Sequence, residues 1–384
     1  MSRGLGDVYK RQVQVTAFSG WGPTDDGRIK PDVVGNGWLL MSTYGEDPYY
    51  AAAIGTSMAS PNVAGSLLLL QEHYEDLHGP NSTMRAATLK ALAIHSADET
   101  GNADGPDYEF GWGLVNTATA ARIIADDHAG SGNHQIIEGT LAQGASNSVL
   151  INVSEPGATV TATLVWTDPA GTPPAPMLDP PDLMLVNDLD QRIVADGTTH
   201  LPWILNPASP SAPATRGDNF RDNVEQVQVT SGVAGSYSIE VSHKGGLDGG
   251  AQDYSLIISV EPPPPTSSGY AIDEDFSGGL PAGWSYVTWD GRSWSIKSHG
   301  GGRYANNTGG SGNYAMLDNY INGNYDWTNA ALRTRSLDLS GATSAVLTFN
   351  SFFYYDFFET IYVEASTNGG SSWTPVWQFR GLSN

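Results

Sequence analysis

From about residue 127 onward the chain carries no helix signal. SVLINVS, TVTATLVWT, RIVA, VEQVQVT, SYSIEVS and YSLIISV follow one another as short alternating runs, separated by Gly, Pro, Asp and Ser. Alternation with a period of two turns one side of a strand to a core and the other to solvent, and a series of such strands between turn residues predicts a sandwich or jelly roll. The 45 glycines and 23 prolines among 384 residues suit many turns and short strands. Upstream the signals are mixed. VQVTAF and WLLMSTY read as strands, and three helices follow. The first runs from about Met58 to Tyr74, with Pro61 in its first turn, where the missing N–H costs little. The second starts at Ser82 as N-cap of TMRAATLKALAIHSA, and the third at Asn116 before TATAARII. That mixture is an α/β pattern.

The boundaries follow from these changes. Residues 13–126 form the α/β region and 127–261 a first all-β region. PPPPTSSG at 262–269 lies in a stiff linker, 262–272, because four prolines have no place in a sheet interior. Residues 273–384 form a second all-β region, with AVLTFNSFFYY and ETIYVEAS as strands. STNGGSSW reads as a hairpin turn in which Asn368-Gly369 takes the positive-φ positions. Residues 1–12, MSRGLGDVYKRQ, read as a non-native leader outside the fold, and WQFRGLSN stops without a closing element, so the chain reads as a fragment cut at both ends.

The formal charge is −23, from 41 acidic against 18 basic residues. Nucleic acid and anionic membrane surfaces need a basic footprint and are excluded as partners. No apolar run is long enough to span a membrane, and LLLL at 67–70 reads as part of a buried helix. The absence of cysteine rules out disulfides, thiolate catalysis and thiolate zinc sites.

Chemistry enters at GTSMASPNVAG, residues 55–65. Ser57 sits among small residues just before a predicted helix, where backbone N–H groups are aimed at a developing oxyanion and the helix dipole assists them. A serine at such a place is more often an N-cap. The longer string outweighs that reading, because it resembles the serine motif of the subtilisin-like (subtilase) peptidases almost residue for residue. The main departure is Asn62, where the family usually has His. FSGWGPTDDGRIKPDVV at 18–34 and DYEFGWGLVNTATA at 107–120 resemble the segments that flank the motif in that family, while VVGNG departs from its commoner loop. The resemblance implies Ser57 as nucleophile and Thr56 beside the oxyanion site. It implies an acid, then a base, upstream, yet no histidine precedes Ser57. The expectation is therefore the C-terminal part of a catalytic domain, inactive alone. An α/β-hydrolase would place its acid and base after the serine, as Asp98 and His128 lie here. That fold wants G-x-S-x-G, and the fifth position is Ala59. His95 falls on an apolar helix beside Ala91 and Leu92 and reads as a core histidine.

TLVWTDPAG, LVNDLDQRIV and DNFRDNVEQV resemble the jelly-roll domain that follows the catalytic domain in the alkaline, oxidation-resistant subtilase branch, apart from a Pro-rich insertion at 172–181. Asp168, Asp188, Asp190 and Asp222 lie near strand ends, and carboxylates there suit Ca²⁺, which the resemblance also implies. EDFSGGLPAGW through VEASTNGGSSWTPV resembles the MAM-like or cleaved-adhesin jelly roll, here partial. Its Trp284, Trp289, Trp294 and Trp373 read as core more than as a carbohydrate platform. The whole implies a multidomain chain: a partial α/β subtilisin-like domain, then two all-β jelly rolls. Its function would be that of a secreted serine endopeptidase on protein or peptide substrates, with surface or carbohydrate contact through 273–384. The alternative is a non-catalytic secreted adhesion chain whose β domains do the work.

Overall fold

The computed structural model describes residues 13–45, 49–101, 103–263, 276–289, 293–297, 314–317, 320–321, 324–325, 330–337, 347 and 360–380. The chain divides into two units, Met1–Pro264 and Pro265–Asn384.

In the first unit a hairpin, β1 (Leu40–Thr43) and β2 (Tyr50–Ala53), leads into three helices: α1 (Thr56–His78), α2 (Ala86–His95) and α3 (Thr117–His128). Strands follow as β3 (His134–Ala142), β4 (Asn147–Val153), β5 (Thr159–Trp166), β6 (Asp188–Ala195), β7 (Thr198–His200), β8 (Trp203–Ile204), β9 (Thr215–Arg216), β10 (Val224–Thr230), β11 (Gly235–Lys244) and β12 (Ala251–Glu261). They build two antiparallel four-stranded sheets, ordered β10-β5-β12-β3 and β4-β11-β6-β7.

The strand period explains how three layers stack. Leu164 and Trp166 of β5 and Leu256 and Ile258 of β12 join Ile193, Tyr237 and Ile239 of the second sheet in one core. The residues between them, Val165 and Ile257, point to the opposite face. There they join Leu92, Ile94, Ile123 and Ile124 of the helices in a second core. The central strands β5 and β12 are thus buried on both faces, which is why YSLIISV is apolar but for two serines.

Several local expectations change. VQVTAF forms no strand. It ends in a turn closed by Ser19 N–H to Thr16 O, and no described strand lies beside it to complete a ladder. Ser82 does not cap α2. Its hydroxyl donates to His78 O at the end of α1, and Arg85 is the N-cap. Asn116 does cap α3, accepting from Thr119 N–H at 2.9 Å. LLLL is buried only at Leu70, with Leu68 and Leu69 exposed at 70% and 61%. Strand β3 was not anticipated; its alternation in IIEGTL is the signal that marks it.

In the second unit four two-stranded pairs are described: β13 (Ser285–Thr288) with β18 (Ala330–Arg333), β14 (Ser295–Lys297) with β15 (Tyr314–Met316), β16 (Tyr320–Ile321) with β17 (Asn324–Tyr325), and β19 (Thr360–Ala365) with β20 (Thr374–Arg380). The last pair is the expected hairpin. Its positive-φ residues are Gly369 and Gly370, not Asn368, whose side chain instead accepts Ser372 N–H at 2.9 Å. AVLTFNSFFYY lies almost wholly outside the described residues.

Candidate active site

The three motif segments meet in space. Gly22 N–H donates to Tyr108 O at 2.8 Å, Trp112 N–H to Asp32 O at 2.9 Å, and Val34 N–H to Gly113 O at 2.9 Å. Tyr108 Oη donates to Gly27 O, and Asp32 is held by Lys30 and by Lys90 of α2. So the 18–34 and 107–115 segments form a frame, and the 35–37 loop leaves that frame directly toward the serine helix.

That loop, the part departing from the family pattern, sets the nucleophile turn. Gly55 N–H donates to Gly37 O at 2.8 Å. A side chain at Gly37 would place Cβ 2.8 Å from Gly55 O and 3.2 Å from Ala59 Cβ, so the approach needs glycine. Gly55 itself is the N-cap of α1 at φ 147°, which glycine adopts without a Cβ penalty. No side chain caps the helix. Ser57 is therefore the second helical residue rather than a cap, and it is exposed, as is Thr56. Among the described residues nothing hydrogen-bonds its hydroxyl.

Five of the seven described histidines are engaged elsewhere. His95 and His134 bond Ser259, His78 bonds Tyr74 O and packs on His128, and His243 accepts from Gly144 N–H. His95 is thus a bonded interface histidine, in keeping with its apolar helix.

Residues 8–113 match the Subtilase family, Peptidase S8. This stretch is thus similar to the subtilases. The chain is 45% identical over 122 residues to the C5a peptidase of Streptococcus pyogenes, covering 30% of this chain and 10% of that protein. It is 26% identical over 257 residues to the serine protease/ABC transporter B family protein tagA of Dictyostelium discoideum, covering 58% of this chain and 14% of that one. An uncharacterised Aquifex aeolicus protein is 41% identical over 73 residues, 16% of this chain and 33% of that protein. The chain thus spans no more than about a third of the length of any of these three relatives. Among the described residues no helix is long and apolar enough to cross a membrane.

The four aspartates do not share one site. Asp168 accepts Val186 N–H at 2.7 Å and Asn187 N–H at 2.8 Å, pinning both ends of the Pro-rich insertion. Asp222 accepts Ile29 N–H at 2.7 Å from the 18–34 segment, and burial pushes its carboxyl up to about 6. Asp188 and Asp190 do lie together, but Lys244 Nζ stands between them, at 3.4 and 2.8 Å, and bonds Asp218 at 2.7 Å. Arg192 adds contacts to Asp190, Asp218 and the fully buried Glu225. Burial raises the Asp188 carboxyl, with Lys244 opposing it, and the bonds of Lys244 to Asp190 and Asp218 outweigh burial to raise its own ammonium. An ammonium already holds the point where three carboxylates converge, so the residues as placed do not fit a calcium ion. Among the described residues no group of three or more His, Asp or Glu is arranged to hold a metal. Asp218 and Glu225 were legible only as members of the acidic DNFRDNVEQV string.

Proposed function

We propose that this chain carries the nucleophile segment of a subtilisin-like serine endopeptidase. The observation that carries the reading is Ser57, exposed in the first turn of α1 behind Gly55, inside the segment that matches the subtilase family. Ser57 Oγ attacks the carbonyl carbon of the scissile peptide while its proton passes to a base. The C–N bond then breaks, the amine leaves with that proton, and water hydrolyses the acyl-serine. N–H groups at the start of α1, with Thr56 beside them, receive the oxyanion. Acid and base come from sequence upstream of Ser57 that this chain does not carry. The protein acts on protein substrates outside the cytoplasm, and its β units are jelly rolls, the first stabilising and the second an adaptor to surfaces. For the adaptor role the supporting feature is Trp289, 58% exposed, with the Arg333 guanidinium 6.0 Å from its ring and 4.8 Å from that of Trp373. Calcium is no part of the proposed mechanism.

A fluorophosphonate probe tests the reading. The 384-residue chain should not be labelled. The same chain extended by its natural upstream sequence should be labelled at Ser57 and should hydrolyse casein, and Ser57→Ala should lower that hydrolysis by about a million-fold. Labelling of the short chain would mean that a base within it serves the serine. An unlabelled extended chain would leave the β units as the working part.

A further inference from the structure

Between helices α2 and α3 and the outer face of the first sheet runs a chain of hydrogen bonds that peptide hydrolysis does not use. Arg122 Nη1 of α3 lies 2.9 Å from His134 Nε2, and His134 Nδ1 lies 2.7 Å from Ser259 Oγ. Ser259 Oγ is also 2.7 Å from His95 Nε2 of α2, and His95 Nδ1 is 2.9 Å from Thr163 Oγ1, which accepts Gln226 Nε2–H at 3.0 Å. A guanidinium only donates, so one end of the chain sets its direction. His134 Nε2 must accept from Arg122, which puts its proton on Nδ1. That N–H donates to Ser259 Oγ, the Ser259 O–H donates to His95 Nε2, and His95 Nδ1–H donates to Thr163. Both rings are neutral in this arrangement and every bond is used.

The order Asp126, His134, Ser259 has the residue types of a catalytic triad, but Ser259 is 4% exposed beneath the helices, out of reach of a peptide. The arrangement does something else. A proton added to His134 Nε2 would face the Arg122 N–H at 2.9 Å. A proton added to His95 Nε2 would set a second imidazole N–H against Ser259 Oγ and leave the serine O–H without an acceptor. Around His134 the charged groups are Arg122 and Asp126 of α3, the latter at 3.3 Å, and Glu261 of β12 at 3.7 Å; neighbouring Asp127 accepts Ile136 N–H. Arg122 also bonds Glu261 at 2.8 Å. Around His95 stand the neutral Thr163 and Ser259, with Gln226 behind Thr163 and the His134 ring beyond Ser259.

We propose that this relay is an acid-released clasp. At neutral pH it ties α2 and α3, and with α3 the serine helix α1 packed on it, to the sheet. Proton uptake by the two imidazoles opens that seam before the two-sheet core melts. Burial, and secondarily His134, lowers the His95 imidazole to about 3. Burial also lowers His134, helped by Arg122 and opposed by Glu261 and Asp126. The sign follows from these depressed values. An opened seam takes up protons near the ordinary imidazole value of about 6.5 while the closed seam does not. The clasp is intact above about 6.5 and weakens as pH falls toward 3.

Hydrogen exchange on the whole chain, corrected for intrinsic rates, tests it. From pH 7.5 to 5, α2 and α3 amides should lose protection by up to about 30-fold through His95 alone, while β4 and β11 amides hold theirs. His134→Asn, whose amide does not titrate in this range, should show a smaller acid step. Imidazole ¹⁵N spectra of the unaltered chain decide independently of any variant: both rings should be Nδ1–H tautomers that stay neutral until helix protection falls. Either ring titrating near 6.5 with helix protection unchanged overturns the proposal. So does equal loss across both sheets, or a His134→Asn acid step as large as the original.

Discussion

Asp222 and the paired histidines show how the same physical cause gives opposite pH dependence. Burial raises the Asp222 carboxyl to about 6, against the pull of Ile29 N–H, Asn219, Lys90 and Lys30. A raised folded value means that Asp222's contribution is complete below its unfolded value near 3.8 and is lost as pH rises through 6. Asp222→Asn, which keeps an oxygen for Ile29 N–H, should therefore stabilise the chain at pH 8 by up to roughly 3 kcal/mol and change little below pH 4. Urea unfolding at the two pH values checks this, and an equal loss at both would show that the hydrogen bond outweighs the charge. Gly37→Ala should lower stability by about 1–3 kcal/mol, since its Cβ would meet Gly55 O at 2.8 Å. Thermal unfolding of that variant gives the answer, and an unchanged melting temperature would mean that the loop yields freely. Neither role could be read along the chain. Asp222 was legible as a carboxylate near a strand end, but its partner Ile29 lies 193 residues upstream.

Among the elements, what was legible followed local period and what was hidden followed distant partners. Strands β4, β5, β6, β10 and β11 stood out by alternation, and Asn116 by its capping chemistry. The stacking of the helices on the first sheet left only an indirect trace, the apolar continuity of YSLIISV. VQVTAF failed as a strand for the complementary reason: its alternation was right, yet among the described residues no partner edge lies beside it. The double burial of β12 makes a direct prediction. Leu256→Ala empties the inter-sheet core and Ile257→Ala the helix-facing core, and each should cost about 2–5 kcal/mol. Calorimetry of the two variants would read this. If Ile257→Ala proved nearly neutral, the helices would not be anchored on the sheet as described.

At the scale of the whole molecule, the two units should melt as separate transitions, with Leu256→Ala moving one of them and leaving the other in place. The same experiment decides what the acid-rich composition is for. A surplus of 23 negative charges, with aspartates at strand ends, reads along the sequence as provision for calcium. In three dimensions the carboxylates that converge in the first unit are answered by Lys244 and Arg192, and Asp168 and Asp222 accept backbone N–H groups. An ion already paired within the chain needs no divalent cation to hold its strands. Excess EDTA should therefore leave the first unit's melting temperature unchanged, whereas Lys244→Met, which strips Asp188 of its cation and leaves Asp190 and Asp218 to Arg192 alone, should lower it. A fall of several degrees on chelation alone would mean that a metal enters by displacing Lys244. In that case Lys244→Met should raise the calcium affinity of the chain rather than merely weaken its fold.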